Sequence, residues 1–165
     1  MSNQLEQVLK KQQEQQKAPQ EGEIEEVVQL VGFMVGDEEF AVPILSIQEI
    51  IKPIEYTRTP KTPPYVLGVF NLRGSVLPLI DLRMKFGLSK SKENEDTRYM
   101  VIRHNDEVAG FVIDRLTQAT RIKESAIDPA PETLNDEQNM IYGVGKQKDK
   151  LISILNVEAL LKRDF

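Results

Sequence analysis

Residues 68–82 read GVFNLRGSVLPLIDL, and residues 143–157 read GVGKQKDKLISILNV. The two stretches share a plan. Gly68-Val69 lies eight residues before the run that starts at Val76, and Gly143-Val144 lies eight residues before the run that starts at Leu151. Each run ends on a short polar residue, Asp81 or Asn156, and continues into a short amphipathic segment, residues 82–86 or Val157–Leu161. Upstream, residues 99–103, the polar turn His104-Asn105-Asp106-Glu107 and residues 108–113 mirror Val27–Val35, Gly36-Asp37-Glu38-Glu39 and Phe40-Ala41-Val42. Four elements recurring in one order indicate an internal duplication.

The repeated unit is built of short β-branched runs separated by turns, the pattern of small antiparallel barrels. No segment offers the long crossover helix that a parallel pair requires. The fold class expected is therefore all-β: two packed five-stranded barrels sharing a hydrophobic core, with a few short helices. A half of about 65–70 residues is too small to be robust alone, which argues for the shared core. The first barrel is expected over about residues 25–90 and the second over about 91–165, with the exchange of strands between them open. Between the halves of the first repeat, Pro43 precedes ILSIQEII (residues 44–51), whose Ile44, Ile47 and Ile51 recur at helical spacing. Proline suits a first helical turn, so a helix ended by Pro53 is expected there. Pro60, Pro63 and Pro64 force an extended connector. Residues 1–24 differ in texture. They are rich in Gln, Lys and Glu, and the stripe Leu5, Val8, Leu9 stops at Gln12. Such a segment cannot bury enough apolar surface by itself to offset its ordering entropy, and it is expected to be a disordered tail or frayed helix.

Composition narrows the function. The 165-residue chain carries a net charge of −5, which opposes binding to phosphate backbones, and a nucleic-acid barrel would also want stacking aromatics that a chain without Trp supplies poorly. Cysteine is absent, so there is no disulfide, thiolate ligand or thiol nucleophile, as suits a reducing cytosol. Membrane-spanning and signal segments are not apparent. A cytoplasmic location follows as the expectation.

Few residues invite catalysis. Asp81 has the look of a catalytic carboxylate, but Asn156 holds the equivalent place, and Asn caps a helix as well as Asp while making a poor base. Helix capping is the reading that fits both. His104, the only histidine, lies in a polar turn without a second His or Cys to complete a metal site. Asp114 ends a strand and is read as a turn cap. No phosphate loop, nucleophile elbow or metalloprotease motif is present. An enzyme would therefore need carboxylates brought together by folding in a deep pocket. Two features fit binding better. Asn71-Leu72-Arg73-Gly74 marks a hairpin end whose Arg73 can reach Glu49, one of few acids in an apolar stretch. Ile44, Leu45, Ile47, Ile50 and Ile51 exceed what a short helix needs for a core, and Ile47 is the candidate for an exposed partner patch.

With these residues in hand, the chain resembles the chemotaxis coupling proteins, the CheW family. GDEEFAVPILSIQEI, TPKTPPYVLGVFNLRGSVLPLIDLRMKFG, AGFVIDRL, DPAPE and LISILNVEALL carry the resemblance, which covers about residues 25–165. It implies two SH3-like barrels, no enzymatic activity, no cofactor and no metal. It implies an adaptor bridging the cytoplasmic helical hairpin of chemoreceptors to the regulatory domain of the chemotaxis histidine kinase, held at receptor arrays through these partners. Nucleic acid and direct membrane insertion are not implied. By position, the receptor groove would comprise Ile44, Ile47, Glu49, Ile50, Asn71, Arg73 and Gly74, and the kinase would meet Ile54, Tyr56 and Arg58. The alternative is a β-barrel interaction module outside chemotaxis.

Overall fold

The computed structural model describes residues 26–129 and 140–162. Eleven strands lie among them: β1 Val27–Val35, β2 Glu38–Pro43, β3 Ile47–Ile51, β4 Val66–Leu72, β5 Ser75–Asp81, β6 Arg98–His104, β7 Glu107–Ile113, β8 Arg115–Lys123, β9 Ile127–Pro129, β10 Ile141–Gln147 and β11 Lys150–Leu155. Two short helices follow the repeated runs, α1 Leu82–Lys85 after β5 and α2 Val157–Leu161 after β11. The strands form a six-stranded sheet in the order β8-β1-β2-β11-β10-β9 and a five-stranded sheet in the order β3-β6-β7-β5-β4. The all-β class of two packed sheets is as the sequence implies, with the three-residue β9 as the sixth strand of the larger one.

Both sheets draw strands from both sides of residue 90. β1 and β2 leave for the six-stranded sheet, while β6 and β7 join β3–β5. Each sheet is completed by one parallel pairing across the exchange, β2 with β11 through Phe40↔Ser153 and Ala41↔Ile154, and β5 with β7 through Leu79↔Gly110 to Asp81↔Val112. The chain crosses between sheets at residues 43–46 and at Asp114.

Period-two alternation divides the apolar side chains into three layers. Phe70, Leu77, Leu79, Tyr99, Val101 and Val112 fill the five-stranded sheet, and Leu30, Ala41, Ile122, Ile152 and Ile154 fill the six-stranded one. Between the sheets lies a larger shared layer containing Phe33, Phe40, Met100, Ile102, Phe111, Ile113, Leu155 and Leu160. β6 shows the alternation directly: Tyr99 and Val101 turn into their own sheet, Met100 and Ile102 into the shared layer. Both faces of that strand are buried, which is why it reads as a nearly continuous apolar run.

The expected helix over residues 44–51 is not formed. One 3-10 turn spans Ile44–Ser46, and Ile47–Ile51 is strand β3, paired antiparallel with β6 from Ile47↔Ile102 to Ile51↔Tyr99. Spacings of three and four among isoleucines suit a helix, but β-branched residues favour a pleated surface when a partner strand is on offer.

The repeat has a physical basis at its glycines. Register shifts occur at both, between Val66 and Gly68 and between Ile141 and Gly143. A Cβ on Gly68 would lie 2.0 Å from the Thr57 carbonyl oxygen, and one on Gly143 would lie 2.6 Å from that of Asp128. Glycine is therefore set by backbone crossing close overhead. The capping residues correspond as well. Asp81 Oδ1 accepts from Arg83 N at 3.0 Å, and Asn156 Oδ1 accepts from Ala159 N at 3.3 Å. Asp81 is fully buried and accepts further hydrogen bonds from Ser91 N (3.0 Å) and Ser91 Oγ (2.7 Å). Asp114 accepts from Gly36 N in the β1–β2 turn at 2.8 Å, and also pairs with Arg83 Nη1 at 2.9 Å.

Two stability outcomes follow from these contacts. Gly68→Ala drives a methyl into the Thr57 backbone and is expected to cost more than about 2 kcal/mol. Gly74→Ala, at φ +88 with open space around it, is expected to cost only about 1 kcal/mol. Denaturant midpoints measure both, and equal costs would contradict the close-approach account.

Candidate functional site

The β4–β5 hairpin turns through Arg73 (φ 52) and Gly74 (φ 88), both in the left-handed region that a tight two-residue hairpin turn demands. Asn71 Oδ1 braces the turn by accepting from Gly74 N at 3.0 Å. The conformation of Arg73 belongs to the repeat and is not peculiar to it, since Lys148 has φ 55 at the matching place. What differs is the partner. Arg73 reaches across to β3 and donates from Nε to Glu49 Oε2 at 3.2 Å and from Nη2 to Glu49 Oε1 at 3.3 Å. This two-pronged geometry fixes both side chains more firmly than a point contact. The Arg73 side chain is 78% exposed and Glu49 only 23% exposed. The hydrogen bond to Glu49, and then its charge, raise the Arg73 pKa further above its ordinary value, so Arg73 is a permanent cation here.

Next to this pair lies the first crossing between the sheets. Leu45 is 96% exposed and Ile44 38% exposed, on the single 3-10 turn that follows Pro43. Ile47 and Ile50 are half-buried and pack on the shared layer. The sequence pointed to Ile47 as the apolar residue left outside, and the side chain that stands out is Leu45. Glu49 also moves from the expected helix to a strand edge without losing Arg73. Nearby, Arg103 Nε donates to Gln48 Oε1 at 3.0 Å, adding a second side-chain link along β3.

The segment holding Ile54, Tyr56 and Arg58 runs along the outside of β4, tied to it by reciprocal backbone hydrogen bonds between Thr57 and Val69 at 2.8 Å. Ile54 is 40% exposed and Arg58 is exposed, while Tyr56 packs partly on the five-stranded sheet's interior. Tyr99 holds this segment from beneath by donating its hydroxyl to the Ile54 carbonyl at 3.3 Å. Burial, then the Glu93 carboxylate and Tyr56, push the Tyr99 phenol up to about 12.

Among the described residues no group of three His, Cys, Asp or Glu side chains is placed to hold a metal, and no helix is long and apolar enough to cross a membrane. Asp81, the residue closest in appearance to a catalytic acid, is enclosed by its cap and by Ser91. His104 ends β6. What the structure brings to this edge is a fixed cation on a rigid turn, an acid holding it, and an apolar corner.

The family model of the CheW-like domain matches residues 29–165. The chain belongs to the CheW-like family. It is 61% identical to the chemotaxis protein CheW of Helicobacter pylori over 165 residues, all of both chains, so the likeness takes in the first 25 residues too. It is 32% identical to the chemotaxis protein CheW of Bacillus subtilis over 86% of this chain and 92% of that one. Among solved structures it is similar to the scaffolding protein TtCheW of Thermoanaerobacter tengcongensis, with a TM-score of 0.78 and 28% identity over 84% of this chain and 95% of the other. The chain is thus a chemotaxis scaffold of the CheW type.

Tyr99 provides a test of how the segment over residues 54–58 is supported. A phenol favoured in its neutral form by folding stabilises fully below about pH 10 and progressively less as pH rises from there to about 12. Absorbance titration is expected to show one phenol ionising near the upper end of that range, and Tyr99→Phe should remove it. A wild-type titration complete around pH 10 would contradict the burial described.

Proposed function

We propose that this chain is a non-enzymatic adaptor that couples the cytoplasmic hairpin tips of chemoreceptors to the regulatory domain of the chemotaxis histidine kinase. The observation that carries the reading is the two-pronged Glu49–Arg73 pair beside the exposed Ile44 and Leu45. An exposed ion pair does little for folding, because water and salt screen it. Its rigid geometry suits recognition instead. The cation is held at a set distance from an apolar corner, and arginine with aliphatic neighbours makes a frequent interface anchor. A receptor hairpin is a pair of amphipathic helices, whose apolar stripes and flanking acids complement such a surface. Ile44, Ile47, Glu49, Ile50, Asn71, Arg73 and Gly74 form this receptor surface.

The kinase surface is assigned to Ile54, Tyr56 and Arg58, on the connector that lies over β4. Tyr99 and the Thr57–Val69 bonds hold this segment rigid, so it presents a prepared surface and loses little entropy on binding. Two surfaces on one small rigid body are what a coupler needs. The adaptor resides in the cytoplasm and reaches the membrane arrays through its receptors, and it needs no cofactor.

Calorimetry with a receptor cytoplasmic fragment tests the assignment. Arg73→Ala is expected to weaken receptor binding about thirtyfold, the scale of a lost interface anchor. The denaturation midpoint should change little. Glu49→Ala should give part of that loss, and the double variant should fall short of the sum because the pair acts as a unit. Kinase-domain binding should persist in all three. Unchanged receptor binding by folded Arg73→Ala would sink the groove assignment.

A further inference from the structure

A third surface is lined by residues that neither assignment uses. The seam between the sheets opens there into an apolar groove of about 360 Å³. Val35 and Phe40 line it from the six-stranded sheet, Met140 and Ile141 from the start of β10, and Phe86 and Leu88 from the end of α1. The walls are fixed. The rings of Phe40 and Phe86 pack tilted at 33° with centroids 4.9 Å apart, and Leu88 lies so close to the β1–β2 turn that a Cβ on Gly36 would be 2.9 Å from its Cδ1. Leu88 is nevertheless 44% exposed, and Asp37 and Glu38 stand exposed at the rim. The groove is therefore apolar at its base and acidic at its edge, with room for a few side chains and not for a whole partner helix.

The chain carries a segment of matching chemistry. Leu5, Val8 and Leu9 fall on one side of a single helical turn, and Lys10 and Lys11 follow at once. Apart from these three the first 24 residues offer little to bury, so the segment can order only against a surface already formed. Its length fits. Residues 12–26 span up to roughly 50 Å when extended. The distance to be covered, back along β1 from Val27 to Val35 in the groove, is about 27 Å.

We propose that residues 5–11 dock in this groove of their own chain, with Leu5, Val8 and Leu9 on Val35, Phe40, Phe86 and Leu88, and with Lys10 and Lys11 facing Asp37 and Glu38. The tail then straps the seam between the two sheets. Since the groove includes strands from one sheet and the end of α1 from the other, the strap resists their relative movement.

The test uses the full chain, whose lack of cysteine permits a single nitroxide label at Gln7→Cys. Backbone amide signals of Asp37, Glu38, Leu88 and Ile141 are expected to lose most of their intensity relative to the reduced label. Leu9→Asp in the labelled chain should restore them, as should Asp37→Lys with Glu38→Lys, which keeps the groove and reverses its rim. Full intensity at these amides in the labelled chain overturns the proposal. So does broadening that passes from labelled to unlabelled chains in a mixture, which would assign the groove to a second copy.

Discussion

The carboxylate of Asp114 sits where the chain leaves the five-stranded sheet and enters the six-stranded one. Its backbone N–H donates to the Met34 carbonyl at 3.0 Å, and its Oδ2 accepts from Gly36 N and from Arg83 Nη1. One residue thereby fastens β1, the β1–β2 turn and α1 to the point of crossing. Arg83 extends the connection, since its backbone N–H donates to buried Asp81 and its Nε to the Ser89 carbonyl at 3.0 Å. The exchange of strands depends on this junction. The hydrogen bond from Asp114 N to Met34 ties the end of β7 to β1 beside the shared layer of Phe33, Met100, Phe111 and Leu155.

Stability and the proposed recognition fall on different residues. The shared layer, the glycines under crossing backbone and the buried Asp81 cap determine whether the chain folds. Arg73, Leu45 and Ile54 lie on turns and edges, where exposure makes each of them nearly neutral for folding and, in the proposed function, available to a partner. The same division explains why the repeat is visible in one set of residues and absent in the other. Gly68 and Gly143 coincide because both barrels need the close approach. Arg73 and Lys148 share a turn conformation, but only Arg73 has Glu49 opposite it. The second hairpin carries the geometry without the pair.

Much of this could be read from the residues. The turn at Arg73-Gly74 is marked by its glycine, the caps by Asp81 and Asn156, and the Glu49–Arg73 pair by the scarcity of acids around Glu49. Three things were hidden. β3 reads as a helix because Ile47 and Ile51, four apart, satisfy both periods while Ile44 favours the helical one, and only pairing with β6 decides between them. β8 gave little signal because most of its side chains face water, with only Thr120 and Ile122 buried. The strand exchange left no local trace at all, because parallel pairings such as β2 with β11 join residues over a hundred positions apart.

The central claim is that one rigid body carries two separate docking surfaces and so joins two partners. Sedimentation velocity on an equimolar mixture of this chain, a receptor cytoplasmic fragment and the kinase regulatory domain tests it most directly. The account predicts a boundary containing all three components, larger than either binary complex and absent when this chain is omitted. Displacement of the receptor fragment by the kinase domain, leaving only binary complexes, would contradict it.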